Sequence, residues 1–203
     1  MISNLKLPLE GRKIVVTRAL EQQAEAHKLF SEKGAKVLDL PALVIGPPDE
    51  WTALDNSLRD LSNFDWIVFS SSNGVRSVQE RLKILGSSLS TKPKHLKIAS
   101  VGRKTAQTLQ SCGVSPDFIP PEFVAESLVK HFPFSNNALR VLLPRVQTGG
   151  RQIIRDEFTK AGVEVIEVPA YESLCPSGIP KNTAESFIRK EIDAIAFTSG
   201  KTI

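Results

Sequence analysis

A chain of 203 residues, 41% hydrophobic and 24% charged, can bury one large core or two small ones, and no run of 18 apolar residues is present to cross a membrane. Cys112 and Cys175 are too few and too isolated for a disulfide framework or a zinc site, and the start of the chain does not read as a signal peptide, so a cytoplasmic location is expected. The net charge of +4 favours anionic ligands, but the basic residues are scattered, aromatic residues make up only 6%, and no nucleic-acid-binding motif occurs.

Residues 13–17 (KIVVT) form a short β-branched run and predict a strand. Helical spacing follows over 21–33 through Ala26, Leu29 and Phe30, Gly34 stops it, and 37–40 predicts a second strand. A helical crossover between two strands implies that they are parallel. Residues 65–69 and 97–101 (KIASV) predict further strands, the second followed by a helix over 105–110 that Gly113 ends. Phe118 and Ile119 predict a brief strand before Pro120 and Pro121, and 125–131 a helix. Residues 140–144 (RVLLP), a helical stretch through Ile153, Ile154 and Phe158, Gly162 and the run 163–168 then repeat the first βαβ unit, before a last strand over 194–198.

The repeat keeps its register. Gly34 and Gly162, Pro41 and Pro169, and Ala42 and Ala170 are each 128 apart (162 − 34, 169 − 41, 170 − 42), while Arg18 and Arg145 are 127 apart, as one inserted residue requires. DWIVFSSSNGV (65–75) aligns with DAIAFTSGKTI (193–203) at the first offset, matching Asp65 with Asp193, Phe69 with Phe197 and Ser71 with Ser199. One offset held across a helix and two strands indicates an internal duplication of an α/β unit.

SSSNG (70–74) follows a strand and opens a helix, the place where open α/β sheets hold ligands on free N–H groups. Ser71, Ser72 or Asn73 can equally serve as an ordinary helix cap. Arg18 and Arg145 end equivalent strands, where a guanidinium can hold a carboxylate or form a local ion pair. Gly102 and Thr105 occupy a third strand-to-helix turn. TSGKT (198–202) lacks the first glycine of a phosphate-binding loop, since Ile195 stands there, and no strand is followed by GxGxxG. His27, His95 and His131 have no metal-like spacing, and no Ser-His-Asp, Cys-His or paired-carboxylate arrangement is present.

VVTRA (15–19), LDLPAL (38–43), FSSSNGV (69–75), VGRKTA (101–106), FVAESL (123–128), LLPR (142–145), VPAYES (168–173) and FTSGKT (197–202) together make the whole chain resemble the uroporphyrinogen-III synthase family. The resemblance implies two parallel-sheet α/β domains joined by two extended linkers, the first discontinuous and flavodoxin-like. On it, 1–40 with 174–203 form the first domain, 41–45 and 168–173 the linkers, and 46–167 the second domain. It implies a lyase that cyclises hydroxymethylbilane to uroporphyrinogen III with loss of water and inversion of ring D, and that needs no cofactor. Neither nucleic acid nor membrane is expected as a partner; a monomer is, with transient contact to neighbouring pathway enzymes.

Tyr171 then matches the tyrosine implicated in the family's active site, and Thr17, Arg18, Ser71, Ser72, Asn73, Gly102, Thr105, Arg145, Thr198 and Ser199 are expected to bind substrate. Relatives continue past FTSGKT, and the register places partners of Val101 and Thr105 at 229 and 233 (101 + 128, 105 + 128). A missing C-terminal portion, with poor stability or activity, is therefore expected. The rival reading is a non-catalytic, two-lobed binding protein for a small anionic ligand. A flavodoxin-like flavin carrier is a third, and it requires a yellow protein.

Overall fold

The computed structural model describes residues 6–18, 23–134, 139–150 and 152–197. In chain order its elements are β1 (Lys13–Val16), α1 (Gln23–Ser31), β2 (Lys36–Asp39), β3 (Val44–Gly46), α2 (Thr52–Arg59), β4 (Trp66–Phe69), α3 (Ser72–Ile84), β5 (Lys97–Ser100) and α4 (Arg103–Ser111). They continue with α5 (Ala125–His131), β6 (Arg140–Val146), α6 (Ile153–Lys160), β7 (Glu164–Leu174), α7 (Lys181–Ile188) and β8 (Ala194–Ala196). The chain divides into two units, Met1–Ile45 with Ser173–Ile203, and Gly46–Glu172.

The first unit is built on a sheet of order β2-β1-β8, with β1 parallel to both neighbours. Being central, β1 is apolar from Ile14 to Val16, and Val15 and Val16 are fully buried, as parallel strands covered on both faces require. Asp39, at the end of β2, ties down two helices: its carboxylate lies 2.6 Å from His27 Nε2 of α1, and its carbonyl accepts from the buried Thr183 hydroxyl of α7 at 2.7 Å. Leu29, expected on the apolar face of α1, is 57% exposed.

The second unit holds a sheet of order β3-β7-β6-β4-β5. Alternate residues Trp66, Val68, Ala99, Val141 and Leu143 face α5 and α6, where Leu128, Phe132, Ile154 and Phe158 complete one core. Ile67, Phe69, Ile98 and Leu142, also buried, point the other way, toward the side on which α3 and α4 pack. The expected strand at 118–119 is a single parallel bridge between Phe118 and Ala99, because Pro120 can donate nothing to extend it.

The duplication is visible in the pairing. Ile14 faces Val37 in the first unit and Val141 faces Val165 in the second; Ile14 also faces Ala194, as Val141 faces Trp66. Order β2-β1-β8 thus corresponds to β7-β6-β4. Asp65 and Asp193 even make the same cap: the carboxylate of each accepts the first amide of the neighbouring strand, from Arg140 at 2.7 Å and from Lys13 at 2.8 Å. The Lys13 amide, helped by the Arg12 guanidinium, holds the Asp193 carboxyl below the usual carboxylate range. Gly34 and Gly162 both sit in the left-handed region after a helix, with φ of 90° and 81°, and at Gly34 a Cβ would lie only 2.9 Å from that of Leu7.

One boundary differs from the sequence reading. Residues 168–173, read as a linker outside a second domain ending at 167, are the second half of β7, and the second unit runs on to Glu172. Pairing continues because Pro169 and Tyr171 remain opposite Arg145 and Val146 of β6. Of residues 41–45, the last two already belong to β3.

Candidate functional site

In the second unit the chain moves from β4 to β5 on one side of the sheet and from β6 to β7 on the other, so the direction of winding reverses between β4 and β6. Connections leaving these two strands part in opposite directions and leave a crevice at their carboxyl ends, where open α/β sheets bind ligands. A cavity of about 370 Å³ opens there, lined by Ser70 and Val101 just past β4 and β5, by Leu143 and Arg145 of β6, and by Phe123 and Ile154 beside α5 and α6. Its size falls within the range of small-molecule sites, and its walls are largely apolar. The Arg103 guanidinium of α4 lies 4.6 Å over the Phe123 ring, linking the VGRKTA and FVAESL turns at its rim.

Arg145 is held from two sides. Its Nη1 donates to Glu167 Oε2 at 2.8 Å and its Nη2 to the carbonyl of Gly149, with 10% of the side chain exposed. Glu167 stands opposite Leu143, two residues from Arg145, so the pair is a diagonal contact on one face of neighbouring strands. Gly149 and Gly150 have φ of 75° and 83°, and a Cβ on Gly150 would lie 2.7 Å from Arg145 Nη2. Gly149→Ala meets only the backbone strain of about 1–3 kcal/mol, since nothing lies within 4 Å of its Cβ position. Gly150→Ala meets the same strain and also displaces the guanidinium, so thermal unfolding is expected to rank it the less stable of the two.

Ser71 is the N-cap of α3, its Oγ accepting the Gly74 amide at 3.2 Å, and the same oxygen lies 3.0 Å from the hydroxyl of Tyr171. The side chain that caps α3 is thus also in contact with Tyr171. Gly74 lets the helix start close to β6, for its Cβ position is already 3.4 Å from the Pro144 carbonyl oxygen. Tyr171 owes its position to a bulge: Arg145 faces Pro169 and Val146 faces Tyr171, so Ala170 is an extra residue in β7. Buried and exposed residues no longer alternate beyond it, and Ala170, Tyr171 and Glu172 are all buried. Tyr171 does not line the cavity itself; it meets the residue next to Ser70, which does.

The other expected residues are divided. Ser72 and Asn73 begin α3, and the Asn73 side-chain oxygen accepts from Arg76 at 3.2 Å. Gly102 caps α4 with no side-chain bond and with open space around it, while Thr105 is buried in the first turn. Thr17 belongs to the first unit, where its amide and hydroxyl both donate to the Ala196 carbonyl at 3.3 and 3.2 Å. The Arg18 carbonyl accepts from buried Gln23 at 2.7 Å. Thr198 and Ser199 lie outside the described residues. Sequence reasoning missed Glu167, Gly149 and Gly150, although an acid inside an apolar strand and a Gly-Gly pair after one were signals. Among the described residues no cluster of His, Cys, Asp and Glu has metal-binding geometry, and no helix is long and apolar enough to cross a membrane.

A doubly wound sheet with a ligand-sized cavity at its point of reversal, and a tyrosine hydroxyl beside it, defines an α/β protein built to hold a small molecule. The chain belongs to the family described as uroporphyrinogen-III synthase HemD, whose pattern matches residues 24–203. It is 44% identical over 196 residues to the uroporphyrinogen-III synthase of Synechococcus elongatus, covering 97% of this chain and 74% of that one. To the uroporphyrinogen-III synthase of Chlorobaculum parvum it is 27% identical over 196 residues, covering 93% and 75%. The crystal structure of a mutant uroporphyrinogen III synthase from the extremely thermophilic bacterium Thermus thermophilus shares the fold with a TM-score of 0.63 at 19% identity, over 94% of this chain and 74% of that one.

Proposed function

We propose that this chain carries out the reaction of its family, closing the linear tetrapyrrole hydroxymethylbilane into uroporphyrinogen III with loss of water, as a lyase of porphyrin biosynthesis. The observation that carries the reading is the pairing of Tyr171 with Ser71 beside the switch-point cavity. A phenol hydroxyl carries one proton and is a suitable donor to a departing hydroxyl.

The cavity supports the reading in a second way. Its apolar walls suit a pyrrole ring, while the uncapped first turn of α4 offers backbone N–H groups to a ring's carboxylate. Gly102 keeps that approach open, because no side chain projects there. Arg145, already neutralised by Glu167, shapes the wall more than it supplies charge. Holding the two ends of a flexible chain against each other is a task of position, for which orientation supplies about 7–11 kcal/mol in favourable cases. Ser72, Asn73 and Thr105 border this region in the proposal, and Thr17, Arg18, Thr198 and Ser199 are proposed as further substrate-binding residues.

Incubating the protein with hydroxymethylbilane and identifying the porphyrin isomer after oxidation tests the function. The type III isomer is expected. The type I isomer alone, from unguided closure, would leave the non-catalytic binding protein as the better reading.

A further inference from the structure

From the geometry we infer that Ser71 is a positioning residue that sets the direction in which Tyr171 gives up its proton, an inference that rests on the reading of Tyr171 as the acid. A serine hydroxyl has one proton and two lone pairs. One lone pair of Ser71 is already occupied by the Gly74 amide, at the positive end of α3. Accepting that bond polarises the hydroxyl and strengthens it as a donor. The atom it reaches, at 3.0 Å, is the oxygen of Tyr171. In this assignment Ser71 donates to Tyr171, which leaves the phenol proton free for another acceptor, the departing oxygen of the substrate.

The same bond assists the chemistry. As the substrate's C–O bond breaks with its electron pair on oxygen, the phenol proton passes to that oxygen and water leaves. The phenolate that remains is stabilised by the Ser71 hydroxyl, since a hydrogen bond to the charged form favours it. The proton released when the new carbon–carbon bond forms restores the phenol, so the sum is loss of one water. A helix cap with no other duty needs only an acceptor at position 71; this role needs a donor as well.

Three variants separate the two. Ser71→Asp keeps the cap but has no proton to donate, Ser71→Ala loses both, and Ser71→Thr keeps both. Ser71→Asp is expected to recover the melting temperature that Ser71→Ala loses, while both lower kcat by roughly tenfold or more with little change in KM. Ser71→Thr is expected to hold turnover near that of the parent. In a Tyr171→Phe background, Ser71→Ala is expected to lower kcat no further. Recovery of turnover in Ser71→Asp, or a full additional loss in the double variant, would overturn the inference. If Tyr171→Phe alone leaves turnover unchanged, the reading of the site fails instead.

Discussion

Replacing Tyr171 with phenylalanine is expected to reduce kcat by about 10²-fold or more, the span that a positioned general acid contributes. The substitution removes one oxygen atom and leaves the ring, so the packing of β7 and its bulge against β6 is retained. KM is expected to change little, because in the proposed role the phenol acts on the breaking bond and not on the substrate's carboxylates. Slow release of intermediates adds a second signature: product formed outside the site is the type I isomer, so its fraction rises as kcat falls. Single-turnover measurement with isomer analysis checks both. Parent-like turnover with parent-like isomer ratio would remove Tyr171 from the mechanism and leave its bond to Ser71 a structural one.

Phe158→Ala is expected to cost the second unit about 3–5 kcal/mol, a large share of the stability of any domain of this size. Phe158 is fully buried, its ring 4.6 Å from that of Phe132 and 5.2 Å from that of Phe134, and Phe132 in turn touches Trp66 at 4.8 Å. Removing it opens a cavity at the centre of the cluster that joins α5, α6 and the sheet, where rigid neighbours on three sides cannot collapse inward. Ile154, one turn earlier on α6, walls the cavity of the proposed site, so loosening this helix is also expected to raise KM at temperatures where the variant remains folded. In urea the midpoint is expected to fall with an unchanged slope. A loss under about 1 kcal/mol would show that α6 is not held by this cluster.

How far the molecule could be read from its sequence depended on whether a feature was local or needed two strands in place. Gly34 and Gly162, and Asp65 and Asp193, were legible as pairs because duplication writes the same requirement twice, and each pair does the same work in both copies. The turns were legible because Ser-Ser-Ser-Asn-Gly after an apolar run is strong local chemistry. The continuation of β7 through 168–173 was not, since whether a strand stops or goes on depends on what lies beside it, here Arg145 and Val146. The same holds for the Arg145–Glu167 contact, which needs two strands in register, and for the bulge at Ala170, which leaves no mark on composition or periodicity. Leu29 misled because spacing tells which residues share a helix face, not whether anything covers that face. For Ser71 the sequence posed cap and site as rivals; the structure makes it a cap that also meets the hydroxyl of a residue 100 positions away, a contact no local pattern could reveal.

The ion pair between Arg145 and Glu167 bears on how the site responds to its medium. With Arg145 balanced by Glu167, the proposed hold on an acidic substrate inside the cavity rests on oriented backbone dipoles at close range, while the chain's overall positive charge acts at a distance. Dissolved ions screen long-range attraction over about 10 Å at 0.1 M, but they act weakly on contacts made inside a crevice. Raising ionic strength should therefore slow the arrival of hydroxymethylbilane, drawn in by the chain's overall positive charge, far more than it hastens departure once the rings are seated.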